Sequence, residues 1–352
     1  MRQLPSGVFA STYLQDAALV RTGKQWLALG VLLFALALVP VLLGARYANI
    51  GSNMFILAVV VTGLQLTLGY AGQVNLAQAT FMGVGAFTAA SIAGHWNLSF
   101  ILTIPAAGIA AALFGLLFGL AAVRIKGFYM ALTTITAQFV FHFAVINLPA
   151  SWFGAANGLK VPPAHLFGLT FKDDIGLYCL NGIVAACMIV FALGIARSRF
   201  GRAFVAVRDD DVAAGMMGIN VVRTKALAFM VGTFYAGVGG ALWAYYIRFV
   251  GAEQFTLFNS IWMIAMLIVG GMGSVIGGLF GVVVIVGLQE LVTSLGPQLA
   301  ELAPELGGQI VFASMNVLLG LLIALFLIVE PKGLMHRWQL VKFSLRIWPF
   351  PH

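Results

Sequence analysis

Long apolar segments recur along the whole chain and restrict the possible folds to one class. The first runs from about Trp26 to Gly44 and the second from about Ile50 to Leu68, and each is long enough to cross a bilayer as a helix. With 61% hydrophobic and 9% charged residues, the chain is also far more apolar than a water-soluble domain. The sequence therefore predicts an all-α, polytopic membrane helix bundle.

About ten crossings are predicted. Residues 1–25 form an N-terminal segment, 26–329 the transmembrane domain and 330–352 a C-terminal tail. An even number of crossings puts both ends of the chain on one side of the membrane. The predicted crossings are 26–44, 50–68, 69–94, 100–123, 128–148, 175–196, 226–249, 260–271, 279–295 and 309–329.

The positive charges are distributed unevenly across these crossings. Fifteen of the 19 Lys and Arg fall in the two terminal segments and in the loops on their side. Basic residues of short loops accumulate on the cytoplasmic side, so both termini are predicted to be cytoplasmic. The same distribution explains the excess of basic over acidic residues, because the positive charges flank membrane spans. The excess therefore does not indicate that nucleic acid is a partner.

Polar residues interrupt the third and fifth segments. Gln73, Asn75 and Gln78 lie among glycines in the third, where lipid cannot satisfy their amides. We expect a discontinuous or re-entrant segment facing a pathway, and a close-packed helix with amides bonded to its neighbours is equally consistent with the pattern. Thr134 and Gln138 share a helix face in the fifth segment. These five residues form the predicted translocation path.

The longest polar interruption, residues 197–225, contains six Lys/Arg and three Asp. Its middle predicts a short amphipathic helix from about Asp209 to Met217. Asp209, Asp210 and Asp211 supply the cap and negative charge at its N-terminal end, Val212, Met216 and Met217 lie on one face, and Gly218 ends it. So short a helix is unstable alone and needs a partner surface. That surface is protein in one interpretation and lipid headgroups in the other.

No motif for covalent chemistry accompanies these features. The sequence has no Gly-rich nucleotide-binding loop, no His-Glu metal motif and no nucleophile signature. We therefore expect a non-enzymatic chain without catalytic residues, metal or cofactor of its own. Acidic and His residues are also too scarce in the predicted spans for an ion relay, so any driving energy comes from elsewhere.

Several separated segments resemble the M-type permease subunits of branched-chain amino acid ABC importers. The resemblance extends from about residue 50 and implies a bacterial inner-membrane location and four partners: a homologous second permease, two cytoplasmic ATPase subunits that use ATP, and a periplasmic substrate-binding protein. It is less specific for the substrate, so urea, short amides and organic acids stay open. The matching segments are 69–87, 201–220, 235–246, 268–281 and 330–334.

The resemblance also implies that the 197–225 loop couples the chain to an ATPase. Ala213, Ala214 and Gly218 match the Glu-Ala-Ala-x-x-x-Gly pattern of bacterial importers, whereas Val212 occupies the position of the acid and Asp211 precedes it. The predicted coupling residues are Gly201, Arg202, Asp211, Val212, Ala213, Ala214, Met216 and Gly218.

Two other classes of function fit the sequence less well. A passive channel for a small polar solute also needs few charges in the membrane and a pore lined with amides and hydroxyls. It has no use for a charged coupling segment, which favours the ATP-driven permease. A membrane-embedded enzyme is disfavoured because no catalytic constellation is present.

Overall fold

The computed structural model describes most of the chain. It covers residues 23–302 apart from 97, 124–127, 167–168 and 172, and then 317, 320–321, 323–326, 328, 330 and 333–347. Residues 1–22 of the predicted N-terminal segment and most of the predicted crossing 309–329 lie outside the described residues, as do residues 331–332 and 348–352 of the predicted tail.

The described residues are mostly helical. Proline lies inside α1 and α4, at Pro40 and Pro105. The helices are α1 Gly23–Leu43, α2 Ala45–Leu64, α3 Gln78–Trp96, α4 Phe100–Val123, α5 Phe128–Asn147, α6 Ala150–Phe153, α7 Asp174–Arg197, α8 Arg199–Asp209, α9 Asp211–Met216, α10 Val221–Ile247, α11 Leu257–Gly270, α12 Val275–Leu302 and α13 Leu334–Ile347.

Short strands modify the all-α prediction in the segments that follow α6 and α10. They are β1 Leu159–Lys160, β2 Ala164–Leu166, β3 Leu169–Phe171 and β4 Phe249–Val250. β2 and β3 form an antiparallel hairpin, and β1 pairs with β4. The β1–β4 pair therefore joins the segment after α5 to the end of α10, on one side of the bundle.

Seven stretches of the described chain are long and apolar enough to cross a membrane. They comprise α2 with its continuation, α4, α5, α7, α10, α11 and α12. α1 and α3, with 21 and 19 residues, are not among the seven. Of these two helices, α3 is the less apolar, because Gln78, His95 and several glycines interrupt its hydrophobic residues. The polytopic helical bundle is confirmed, and the count of ten crossings stays a prediction.

α10 is the central helix of the bundle. In its most apolar stretch 72% of the residues are buried, against 17% for α7, which lies at the periphery. α10 packs mainly on α2, α3 and α4 and buries the aromatic side chains of Phe229, Tyr235 and Tyr245.

Glycines bring the backbones around α10 into direct contact. A Cβ at Gly240 would lie 1.9 Å from the Met82 carbonyl oxygen in α3, and one at Gly85 would lie 2.2 Å from the Gly237 oxygen. Small residues allow membrane helices this close approach, which provides van der Waals contact where no hydrophobic driving force acts between helices. The α3–α10 interface is therefore fixed by backbone shape.

The chain between α2 and α3 is not helical throughout. α2 continues as a π-helix over Gln65–Tyr70, residues 71–77 have no regular structure, and α3 begins only at Gln78. The Gln78 side chain donates to the Val60 carbonyl oxygen at 3.0 Å, so α3 starts beside the middle of α2. Residues 71–77, here called the break, therefore run back along the end of α2.

The predicted 197–225 loop contains more helix than expected. α8 and α9 occupy most of it, and the predicted helix 209–217 is shorter, because Asp209 ends α8 and Asp210 caps α9. α8 is amphipathic: Phe204 and Val207 are buried and the polar residues face outward.

We predict that the α3–α10 contact is sensitive to a single methyl group. Gly240→Ala should lower the midpoint of thermal unfolding of the purified protein, because overpacking costs about 1–3 kcal/mol. Gly287→Ala in α12 is the matched control, since a Cβ there meets nothing within 4 Å. Equal midpoints for the two variants would contradict the close-packed interface.

Candidate functional site

Two groups of residues compose the candidate site, and the first is the surface formed by α8 and α9. Ser198 caps α8 by accepting a hydrogen bond from the Phe200 amide. The apolar face of α8 packs on the bundle through Phe204, which contacts Ala71 of the break and Ala228 of α10. The helix is therefore attached to both elements.

Capping at both ends stabilises the six-residue α9. The Asp210 carboxylate accepts hydrogen bonds from the amides of Val212 and Ala213, as the predicted cap requires. At the other end Gly218 adopts a φ of +85°, and the Ile219 amide donates to the Ala214 oxygen. This left-handed glycine ends the helix, as predicted.

The two faces of α9 differ in chemistry. Val212, Met216 and Met217 are 58%, 84% and 83% exposed, which confirms the predicted apolar face. Ala214 is buried on the opposite side. Asp211 also turns toward the bundle, where its carboxylate lies 3.2 Å from the Lys225 ammonium group, and both side chains are mostly buried.

The remaining predicted coupling residues differ in their exposure to solvent. Gly201 is buried against the end of α7, where a Cβ would lie 2.4 Å from the Ala196 oxygen. Arg202 is exposed on α8 and donates to the Arg197 oxygen. Ala213 and Gly218 are exposed on α9. The outward residues thus lie on α9 and on the solvent side of α8.

The second group is the predicted path, which surrounds the break. Asn75 is fully buried; its amide nitrogen donates to the Gln78 side-chain oxygen at 2.8 Å, and its own oxygen accepts from the Ala77 amide. Gln78 in turn bonds to Val60 of α2. These contacts satisfy polar groups that the non-helical backbone leaves without helical partners.

Thr134 and Gln138 join α5 to the same region. The Thr134 hydroxyl accepts from the Leu76 amide at 3.1 Å and donates to its own helix. The Gln138 amide accepts from the Thr80 hydroxyl and donates to the Phe255 oxygen. Both side chains are buried, in agreement with the predicted shared face.

Gln73 lies apart from the other four path residues. Its side-chain nitrogen donates to the Lys225 oxygen at the start of α10, while its buried oxygen has no hydrogen-bond partner in the described chain. It therefore lies next to α9 rather than beside Asn75.

Gln65 and Ser260 are further buried polar residues of this region that were not predicted from the sequence. Gln65 in α2 donates to the Gly271 oxygen, and Ser260 in α11 accepts from the Ala79 amide. An amide inside an apolar span was a visible signal for Gln65. For Ser260 no local signal existed, because its partner is 181 residues away.

A cavity of about 560 Å³ opens on the face formed by α2, α3, α11 and α12. Its walls are mainly aromatic and aliphatic, with amides at several positions and no Lys, Arg, Asp or Glu among the described residues that line it. Ala79, directly after Gln78, belongs to the wall. The amide side chains are Asn53, Gln254, Asn259 and Gln289.

In the part of the chain that the structure describes, no three His, Cys, Asp or Glu side chains come together as a metal site. The Glu290 carboxylate in α12 instead accepts a hydrogen bond from the Arg46 guanidinium at the start of α2, with an N–O distance of 2.5 Å.

Comparison with known proteins shows what this arrangement is similar to. Residues 46–328 match the family model described as the permease component of a branched-chain amino acid transport system. The chain is 29% identical over 294 residues to LivM of Escherichia coli, a permease protein of high-affinity branched-chain amino acid transport, covering 77% of this chain and 69% of LivM.

Two further similarities are partial. LivH, another permease protein of the Escherichia coli branched-chain amino acid system, is 31% identical over 163 residues, which cover 44% of this chain and 46% of LivH. The Escherichia coli L-arabinose permease protein AraH is 30% identical over 91 residues, covering 26% of this chain and 27% of AraH. No solved structure matches the chain.

Proposed function

The chain belongs to the family of branched-chain amino acid transport permeases and is a transmembrane permease subunit of an ABC importer, and from this premise we propose its substrate, coupling and partners. The substrate is a branched-chain or other hydrophobic amino acid, and separate ATPase subunits that dock on α9 drive its import. The proposed coupling rests on the apolar face of α9, which is exposed although the helix is too short to be stable in isolation.

An ATP-driven subunit accounts for this face better than a passive channel does. Val212, Met216 and Met217 together expose apolar surface beside charged residues of α8 and α10. An amphipathic helix that lays its apolar face in a groove is a common mode of recognition between proteins. The ATP is bound by the partner subunits, and movement of the docked α9 would switch the bundle between outward and inward access.

We predict that a charge on this face prevents docking. Met216→Glu should reduce both co-purification of the ATPase subunits and transport by at least about tenfold, because burying a methionine contributes roughly 1.5–3 kcal/mol and an unpaired carboxylate costs more. Met272→Glu is the matched control, an exposed methionine in the turn between α11 and α12. Normal assembly and transport with Glu at position 216 would exclude α9 as the docking helix.

The large cavity supports a second, homologous permease as partner. Its amides lie on a face that would otherwise meet hydrocarbon, where unsatisfied polar groups are costly. A second permease on this face would enclose them and leave a route between the subunits. The uncharged, largely apolar wall suits a zwitterion with an apolar side chain better than a dicarboxylate, and a periplasmic binding protein would deliver that substrate to the outer mouth.

We further propose that the break is part of the route, so that the third crossing is discontinuous or re-entrant. The polar residues are Gln73, Asn75, Gln78, Thr134 and Gln138, and four of them surround the start of α3, next to the cavity wall at Ala79. Their mutual hydrogen bonds also fit a purely structural role, so stability and transport must be measured together.

We predict that Asn75→Leu and Gln78→Leu each reduce transport in complexes that still assemble, because each removes polar groups beside the route. Each should also cost about 1–3 kcal/mol of stability by leaving a buried partner unpaired. Thr136→Val is the control, because Thr136 is exposed on α5 and its hydroxyl donates to the Leu132 oxygen of the same helix. If the folded Asn75 and Gln78 variants transport at the full rate, these amides have only a structural role.

The proposed topology has ten crossings with both termini in the cytoplasm of a bacterium, and its support is twofold. The uneven distribution of Lys and Arg favours this orientation. The β1–β4 pair joins segments assigned to the outside, whereas a hydrogen bond from Arg208 to the Gly69 oxygen joins segments assigned to the inside.

We predict opposite labelling of engineered cysteines in chains whose native Cys179 and Cys187 are replaced by Ala. Asn157→Cys should react with a membrane-impermeant thiol reagent in intact cells, and Ser344→Cys only after permeabilisation, because the two positions lie on opposite sides. Both wild-type residues are exposed. Reaction of Cys at position 344 in intact cells would reverse the assignment.

A further inference from the structure

Arg208, at the end of α8, bonds to the π-helix directly before the break and packs against Gly72 of the break itself. Its Nη1 donates to the Gly69 oxygen at 2.8 Å, across 139 residues of sequence. The other edge of the guanidinium holds the Asp209 carboxylate, with Nε and Nη2 at 3.0 and 2.9 Å from the same oxygen. The Asp209 contact orients the guanidinium, and the Gly69 contact fixes the position of α8 at the end of the π-helix.

Glycines shape the slot that receives this side chain. Gly72 in the break has a φ of +67°, and a Cβ there would lie 2.7 Å from the Arg208 Cγ. Gly273, in the turn between α11 and α12, has a φ of +83° and would place a Cβ 3.4 Å from Nη1. The guanidinium therefore lies where the end of α2, the break and the α11–α12 turn meet.

A second connection runs from α9 to the same break. The Asp211 carboxylate pairs with Lys225 at the start of α10, and the Lys225 carbonyl oxygen accepts from the Gln73 side chain at 3.0 Å. The two connections border a cavity of about 310 Å³, lined by residues of the break, of α8 and α9, and of the start of α10. The break thus contacts the coupling segment at two points with open volume between them.

We propose that Arg208 is a positioning residue that transmits movement of the docked α8–α9 segment to the break, and thereby links ATP hydrolysis to opening of the route. This inference rests on the proposed function. The contacts of Arg208 with Gly69, at the end of the π-helix, and with Gly72 of the break matter because the α3–α10 interface, with its backbone contacts at glycines, cannot deform gradually. The break lacks regular backbone hydrogen bonding and is the element that changes shape at the lowest cost.

The competing explanation is that Arg208 only stabilises the fold. A cation at the C-terminal end of a helix satisfies free carbonyl groups and interacts favourably with the helix dipole. In that case its removal would lower the stability and assembly of the complex, and transport and ATP hydrolysis would fall together.

The test measures transport per ATP hydrolysed by the complete, reconstituted importer, using leucine as the probe substrate. Arg208→Gln should leave the complex folded and assembled and keep its ATPase rate within about twofold of wild type. It should reduce transport per ATP about tenfold, the effect of losing a hydrogen bond to a charged group. Arg208→Lys should recover part of the loss. Lys342→Gln is the control, because Lys342 is an exposed cation of α13 that lies outside the coupling segment and the predicted path.

A second variant tests the same contact with the arginine intact. Gly72→Ala should reproduce the uncoupling, because its methyl group displaces the Arg208 side chain. Gly44→Ala is the matched control, with a φ of +83° but nothing within 4 Å of its Cβ.

Three outcomes would overturn the proposal: unchanged transport per ATP in Arg208→Gln, a parallel loss of assembly and both activities, or equal effects of Ala at positions 72 and 44. A wild-type complex that assembles and hydrolyses ATP without transporting leucine would instead contradict the proposed substrate.

Discussion

The structure depends on one constraint: polar groups at membrane depth must find their partners inside the protein. Residues 71–77 give up helical hydrogen bonds where lipid offers no replacement, and side chains of α5 and of the break itself supply partners. Two further bonds join the start of α3 to α2 and α11, so the break and the residues directly after it hold these helices together. The donors and acceptors are Leu76 with Thr134, Ala77 with Asn75, Ala79 with Ser260, and Gln78 with Val60.

The bundle therefore combines a rigid part with a part that is easier to deform. Around α10 the helices touch backbone to backbone, and a shift of α3 would drive Gly85 or Gly240 into an opposing carbonyl group. The break is held by side-chain hydrogen bonds, which rearrange individually. At one end it leads into α3, which lines the large cavity through Ala79, and at the other end its Gly72 packs against Arg208 of α8. A movement that starts at the coupling segment thus reaches the route through the break before it reaches the core.

Local patterns in the sequence predicted the local structure well. Apolar runs located the helices, Asp210 and Gly218 marked the ends of α9, and buried amides marked the break. α8 was missed because its charged residues indicated a loop, although Gly201, Phe204 and Val207 repeat every three residues, as one face of a helix does. Contacts between distant segments were beyond prediction: the partner of Gln138 is 117 residues away, and the strands of the β1–β4 pair are too short to have a pattern.

The acidic residue of the coupling segment shows how a shift of one position changes its role. Successive residues of a helix point about 100° apart, so an acid at position 212 would lie on the exposed face of α9, whereas Asp211 faces the bundle. There its charge is neutralised by Lys225, in a setting where an unpaired carboxylate would be costly. The exposed position is left to Val212, beside Met216. An ATPase subunit that docks on this helix would meet an apolar surface, while the carboxylate holds α9 to α10 and, through Lys225, to Gln73 of the break.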